Sequence, residues 1–331
     1  MQVENIKNIA VVGAGTMGHG IGLAFALGSY HVTLQDRSEE ILERGITQVK
    51  NDLETFAECG IISRDVIQRT LANIATTTDL KEAVKDADFV AEAVNEDVEI
   101  KKTVFSNLDM YCPERTILAS NTSSLRLRDF TSQCKRKDKI LIAHWVNPPH
   151  IAPVVEVVHC EGTSVETIEV VCSLLKRAGK TPVRITKEIP GLVHNRIQAG
   201  MIREVWTLWE QGIASAEDID LVVQGGFGLR LAANGPLATC DLGGLDIWYA
   251  TEQQLFREIS DAHEPPERFG AMVKAGDLGV KTGKGFFNYQ NSSFSKEQIK
   301  ERDRMLINLL KARGDTCLGC DRRSGYDQSQ R

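Results

Sequence analysis

No apolar run in these 331 residues approaches the roughly 18 to 20 that a membrane-spanning helix needs, so no membrane partner is expected. The opening Met1-Gln2-Val3-Glu4 lacks both a basic leader and an apolar stretch, and a cytoplasmic location is the expectation. A basic excess is missing too. Lys and Arg number 39 against 45 Asp and Glu, a net charge of −6, whereas a nucleic-acid footprint would be basic. The eight cysteines, at 59, 112, 134, 160, 172, 240, 317 and 320, lack the dense spacing of a disulfide framework. Cys317-Leu-Gly-Cys320 has neither a second pair at zinc-ribbon spacing nor a βαβ pattern around it, so no metal site is expected. Repeats and low-complexity tracts are absent. What is present is a globular composition, 42% hydrophobic and 25% charged, in a chain long enough for two domains at about 150 residues each. A small anionic ligand is compatible with the acidic balance, because local donors and helix ends hold such ligands.

The apolar pattern begins with a short β-branched run, Asn8-Ile-Ala-Val-Val12, that stops at Gly13. Helical spacing follows through Ile21, Ala24, Phe25 and Leu27, Gly28 closes it, and His31 to Asp36 reads as the next strand. Further strands are expected at 72–76, 88–92, 116–120, 139–143 and 154–158, with helical patterns between most of them. Such alternation predicts an α/β fold with a doubly wound, mostly parallel sheet of the Rossmann type. Near Lys187-Glu-Ile-Pro-Gly191 the strand pattern ends, and Pro190-Gly191 opens a long helical pattern to Gly212. The expected domains are therefore 1–188, α/β, and 189–313, all-α, with 314–331 as a fraying tail.

Gly13-Ala-Gly15-Thr-Met17-Gly18 is a GxGxxG between a strand and a helix. Gly13 would permit the tight turn, Gly15 the approach of a pyrophosphate, and Gly18 close helix packing, with the helix N-terminus attracting negative charge. Asp36 ends the second strand 21 residues after Gly15, where a carboxylate can accept both ribose hydroxyls. The same carboxylate repels a 2′-phosphate, which favours NAD over NADP, although Arg37 beside it is the residue type that can accommodate that phosphate. The alternative is a turn needed for packing alone, with Asp36 a strand-end cap.

Ala143-His144-Trp-Val-Asn147-Pro148-Pro149-His150 lies at a strand end, where doubly wound folds build their sites, and Glu156 follows His144 by twelve residues. Histidine can take or give a proton near neutral pH, and a carboxylate on its other nitrogen fixes the tautomer. Alcohol oxidation by hydride loss needs such a base at the hydroxyl. A buried structural pair is the competing explanation.

At this point the sequence resembles the 3-hydroxyacyl-CoA dehydrogenase family over nearly all of residues 6–290. The stretches that carry the resemblance are GAGTMG, VAEAVNED from Val90, SNTSSL from Ser120, AHWVNPP from Ala143, VVEVV from Val154, IPGLVHNRI from Ile189 and GVKTGKGFFNY from Gly279. The resemblance implies His144 as catalytic base and Glu156 as its acid partner. It implies that Ser123 hydrogen-bonds substrate and nicotinamide-side groups and that Asn195 helps hold the reacting carbonyl. Gly13, Gly15, Met17, Gly18, Asp36, Glu92, Lys101 and Asn121 are the implied NAD-binding residues, with Glu92 and Lys101 near the nicotinamide-side ribose. Ser123 also fits a helix N-cap, while Asn195 sits in a helical pattern that disfavours Asn. Lys281 and Lys284 read as turn and surface residues. The family also implies a homodimer.

Two features depart from the acyl-CoA pattern. The helix expected after the second strand reads neutral to acidic over Asn51 to Gly60, offering few partners to a CoA phosphate. Gly226-Phe-Gly-Leu-Arg230 through Pro236 instead resembles the branch containing L-gulonate 3-dehydrogenase (lambda-crystallin) and carnitine dehydrogenase, and the HWxNPPH form resembles dehydrogenases of pyridine carboxylates. Arg230 fits either a carboxylate clamp or an interface or capping arginine. The first expectation is an NAD-dependent enzyme interconverting an L-3-hydroxyacyl-CoA and a 3-oxoacyl-CoA. The second keeps this chemistry on a free 3-hydroxy acid, and a third is a structural NAD-binding protein.

Overall fold

The computed structural model describes residues 2–289 and 292–314, and the Cys317/Cys320 pair and all of the expected tail but Gly314 lie outside them. Contacts divide the chain into two compact units, one reaching Leu192 and joined by the last helical turns from Leu306, the other Val193–Met305.

The first unit is built on eight strands: β1 (Asn8–Val12), β2 (His31–Gln35), β3 (Ile74–Thr77), β4 (Phe89–Glu92), β5 (Ile117–Ser120), β6 (Ile140–Trp145), β7 (Val154–Val158) and β8 (Thr181–Ile185). Their order in the sheet is β3-β2-β1-β4-β5-β6-β7-β8. All neighbours from β3 to β6 are parallel. The strand order reverses direction between β1 and β4, which opens a crevice at the carboxyl ends of these strands. The first five strands of the expected pattern and β6 fall within two residues of their positions. Strand β7 runs antiparallel to β6, and β8, parallel to β7, is an addition. Pro182 and Arg184 interrupt the apolar pattern of β8, and proline is tolerated there because the strand is at an edge.

Helices α1 (Gly18–Leu27), α2 (Glu39–Glu58), α3 (Arg64–Ala72), α4 (Leu80–Val84), α5 (Val98–Tyr111), α6 (Leu127–Thr131) and α7 (Val165–Arg177) flank the sheet. Every residue of α1 is buried. Its small residues allow this: a Cβ on Gly22 would stand 2.5 Å from Leu34 Cδ2, so the helix lies directly on β2. One core packs β1, β2 and β4 against α1 and α7 through Phe25, Leu34, Phe89, Trp145 and Leu174. A second lies on the opposite side of the sheet around Val90, Phe105 and Leu118. A third joins α1 to α2, α3 and the end of the last helix through Leu23, Leu53, Phe56 and Ile307.

The second unit is helical: α8 (Leu192–Glu210), α9 (Ala216–Val222), α10 (Leu229–Ala233), α11 (Pro236–Gly243), α12 (Leu245–Leu255), α13 (Glu267–Lys274) and most of α14 (Ser292–Ala312). Between α9 and α10 a widened turn, Val223–Gly228, bends at Gly226. Helix α8 starts at Leu192 rather than at Pro190, since Gly191 and Leu192 both hold positive φ. Trp206, Trp209, Phe269 and Phe286 form an aromatic cluster, with Trp206 and Phe269 stacked at 4.3 Å and the Arg268 guanidinium 3.9 Å above Trp209. Among the described residues no helix is long and apolar enough to cross a membrane.

Candidate active site

The turn from β1 into α1 separates the three glycines by what surrounds them. Gly13 has φ +99, and a Cβ there would meet Ala93 O at 2.5 Å. At Gly18 the Cβ would stand 1.7 Å from Gly13 O. Around Gly15 a Cβ would meet nothing within 4 Å. Two glycines are thus demanded by the protein's own backbone, and the third shapes a cradle that a side chain would fill. No side chain caps the first turn of α1, and a helix N-terminus favours negative charge at that cradle. Asp36, just past β2, accepts from Ala14 N through Oδ2 at 2.8 Å and from Arg37 N through Oδ1 at 2.8 Å. Its carboxylate is therefore fixed beside the glycine turn, with lone pairs left for ribose hydroxyls. Met17 is half-buried against the core. This donor set fits a dinucleotide.

The second group lies at the ends of β5, β6 and β7. His144 and Glu156 are directly opposite in the antiparallel β6–β7 register, so both side chains project from one face. Nδ1 of His144 is 2.8 Å from Glu156 Oε2, and the residues are 6% and 2% exposed. An ionised carboxylate only accepts, so this contact places the ring proton on Nδ1 and the basic lone pair on Nε2. Asn121 Oδ1 accepts from Trp145 N at 2.8 Å, which ties the end of β5 to the residue after His144. The Asn147-Pro148 peptide that follows is cis. Lys180, fully buried, donates to Pro149 O, His150 O and Ala152 O at 2.7, 3.2 and 2.9 Å and lies 5.6 Å from the Trp145 ring centre. Burial pushes its ammonium down to about 7. The segment after the histidine is thus held through its carbonyls.

Glu92 and Lys101, expected near the nicotinamide-side ribose, are 0% and 1% exposed. Glu92 Oε1 accepts from Lys101 Nζ at 2.6 Å and Val94 N at 2.8 Å, and Oε2 from Ser120 Oγ at 2.6 Å. The physical reason is position: β4 is central and all four of its residues are buried, so the pair supports the surface from beneath. The exposed neighbour is Glu96, which the sequence reading passed over inside VAEAVNED. Lys101 Nζ is 3.4 Å from Glu96 Oε2. Glu96 Oε1 collects Thr122 Oγ1 at 2.6 Å, Ser123 N at 3.1 Å, Ser124 N at 3.0 Å and Ser124 Oγ at 2.9 Å. Burial alone would raise its pKa, but these hydrogen bonds and the Lys101 charge hold it down at about 2. Ser123 is therefore positioned by Glu96. It is not a helix cap, because α6 takes Arg126 as its N-cap residue.

Asn195 and Arg230 belong to the second unit. Asn195 is half-buried in the first turn of α8. Arg230 is exposed in α10 and makes no side-chain ion pair among the described residues. Lys284 pairs with Asp277 at 2.8 Å on the surface of that unit.

A Rossmann-type sheet with a glycine cradle, an acid beside it and a cross-strand His–carboxylate pair defines a dinucleotide-dependent oxidoreductase. Residues 8–189 match the family model described as 3-hydroxyacyl-CoA dehydrogenase, NAD binding domain, and residues 191–289 match its C-terminal domain. The chain belongs to the 3-hydroxyacyl-CoA dehydrogenase family, and it is an NAD-dependent oxidoreductase acting on a CH–OH group. A 3-hydroxybutyryl-CoA dehydrogenase of Clostridioides difficile is 37% identical over 285 residues, 85% of this chain and 99% of the relative. A 5-formyl-3-hydroxy-2-methylpyridine 4-carboxylate 5-dehydrogenase of Mesorhizobium japonicum is 32% identical over 302 residues, 91% and 96% of the two chains. A solved structure of an enzyme of that last activity, described as an NAD+ dependent dismutase, superposes with TM-score 0.87 at 31% identity, covering 93% of this chain and 99% of that one.

Proposed function

We propose that this chain interconverts an L-3-hydroxyacyl compound and its 3-oxo counterpart, with His144 as the base and Glu156 as its partner. The observation that carries this reading is the buried 2.8 Å contact across β6 and β7. In the oxidative direction His144 Nε2 takes the hydroxyl proton, and the Glu156 carboxylate stabilises the imidazolium that results. In the reductive direction the imidazolium returns that proton to the oxygen. Bound NAD supplies the hydride acceptor and donor. Gly15, the first turn of α1 and Asp36 would hold it, Gly13 and Gly18 shape that turn, and Met17 packs beside it. Asn121 holds β6 in place, the Glu92–Lys101–Glu96 chain sets the Ser123 loop, Ser123 hydrogen-bonds the reacting oxygen, and Asn195 is assigned to substrate. The first unit supplies NAD binding and the second supplies substrate binding and dimerisation.

The simplest substrate is the CoA thioester. A free hydroxy acid is the second reading, because the exposed residues of α2 include Glu39, Glu40, Glu43, Glu54 and Glu58 against Arg44 and Lys50, a poor surface for a CoA phosphate. Exposed Arg230 offers a planar fork to a carboxylate. NADH consumption with acetoacetyl-CoA, run beside acetoacetate, dehydrocarnitine and 3-dehydro-L-gulonate, separates the two. Turnover confined to the thioester supports the first reading, and turnover confined to a free acid replaces it by the second. Absence of turnover with every compound would remove the 3-oxo substrate class.

We also infer a cytoplasmic homodimer. The second unit exposes Leu237 at 81%, Leu242 at 76%, Phe256 at 69% and Tyr249 and Val222 at 68%. Apolar surface of this extent is commonly covered by a second copy.

A further inference from the structure

Three polar side chains that neither the dinucleotide turn nor the catalytic pair employs converge inside the first unit. His19 stands in the first turn of α1, Asp52 faces inward from α2, and His150 follows β6. They are 9%, 4% and 5% exposed. Asp52 Oδ2 lies 3.4 Å from His19 Nε2 and 3.7 Å from His150 Nδ1, and one ligand atom from each of the three residues lies within 4.8 Å of the others. Asp52 Oδ2 is buried and accepts no hydrogen bond among the described residues.

The surroundings orient this set. His19 Nδ1 is 2.8 Å from Gly15 O. A carbonyl can only accept, so Nδ1 carries the proton, and in the neutral ring the Nε2 lone pair faces Asp52. Asp52 Oδ1 accepts from Gln48 Nε2 at 2.8 Å, which fixes the carboxylate with Oδ2 turned inward. Metal-ligating histidines and carboxylates are oriented in this manner, by a carbonyl or an amide on the far side. The separations are long for hydrogen bonds to a carboxylate. The two Asp52 separations are close to the edges of a tetrahedron of ligand atoms, about 3.3 Å when each bond is about 2.0 Å, and the third edge lies within 4.8 Å. A buried carboxylate is costly unless its charge is compensated, and a divalent cation shared with the two imidazoles at 3.4 and 3.7 Å would compensate it.

We propose that His19, Asp52 and His150 form a three-ligand site for a divalent cation of the zinc class. Two imidazoles and one carboxylate, with no thiolate, suit zinc better than calcium or magnesium. The cation would staple the start of α1, beside the glycine turn, to α2 and to the segment after His144. Its role there is structural, since the three residues are enclosed.

The test is equilibrium dialysis of the full chain against zinc chloride, followed by metal analysis, with cobalt chloride as the spectroscopic probe. One zinc per chain is expected. The cobalt form should show visible ligand-field bands without the near-ultraviolet sulfur charge-transfer band that cysteine ligation gives. Asp52→Asn and His150→Gln should each weaken zinc binding by at least about tenfold, with folding checked by circular dichroism, and zinc should raise the melting temperature of the wild type but not of these variants. Wild-type protein that retains no zinc, a sulfur band, or folded variants that hold zinc as tightly as wild type would each overturn the proposal. Where one variant fails to fold, the other carries the comparison; where both fail, the wild-type stoichiometry and cobalt spectrum decide it.

Discussion

Gly13, Gly15 and Gly18 share one turn yet answer to different constraints, and single substitutions should separate them. Gly18→Ala puts a methyl into the Gly13 carbonyl, and Gly13→Ala combines a positive φ with a clash against Ala93. Each should cost about 3 kcal/mol or more, read as a fall in the denaturation midpoint. Gly15→Ala enters open space, so its melting curve should match wild type while NAD affinity falls by about tenfold, a loss of about 1.4 kcal/mol. A destabilised Gly15→Ala with intact NAD affinity would reverse that division. Asp36→Ala should weaken NAD more than NADP in a fluorescence titration, since it removes the acceptor of ribose hydroxyls and also a repulsive charge. Glu96 makes the pH prediction. Its folded pKa is depressed, from 4.5 to about 2, so its contribution is complete above pH 4.5 and is lost as pH falls toward 2. Melting temperatures between pH 5 and 2.5 should therefore fall less steeply in Glu96→Gln than in wild type. At this scale the sequence showed what spacing can carry: the glycines, Asp36 and the His144–Glu156 interval. It did not distinguish Glu92 from Glu96, because both are acids in one short stretch and only the sheet decides which is buried.

Among the elements, β6 and β7 matter most to the site, and their antiparallel pairing was the part hardest to read. The run Val154 to Val158 is equally apolar in either direction, so a sequence pattern identifies the strand without its sense. The observed antiparallel register sets Glu156 opposite His144, and a slip of one residue would turn the two side chains to opposite faces. Strand β8 escaped notice because only its last residue is fully buried. The segment between β6 and β7 depends on Lys180, whose three N–H donors meet three carbonyls. Lys180→Met would keep the apolar stem and leave those carbonyls unsatisfied, at a cost of about 3 kcal/mol in chemical denaturation. A Lys180→Met protein as stable as wild type would show that the segment needs no such anchor. The cluster of His19, Asp52 and His150 was invisible for a related reason: three elements each contribute one residue, and no spacing in the sequence joins them.

For the molecule as a whole, the α/β pattern followed by helices was legible because strand and helix periods differ, and the family motifs recur in order along both units. The proposed partner surface is less directly written, since exposed leucines on α11 and α12 become apparent only when the helices are built. Light scattering should give the mass of two chains, and Leu237→Glu with Leu242→Glu should shift it toward one; a wild-type monomer would leave those leucines unexplained. The claim on which the account turns is the base. The most direct measurement is the rate of NADH oxidation by wild type and His144→Ala with whichever 3-oxo compound of the panel the wild type reduces, beside an NADH binding titration. The account predicts a loss of about 100-fold or more in kcat with NADH affinity nearly unchanged. A variant that turns over within a few-fold of wild type would contradict it, and the contact across β6 and β7 would then be structural.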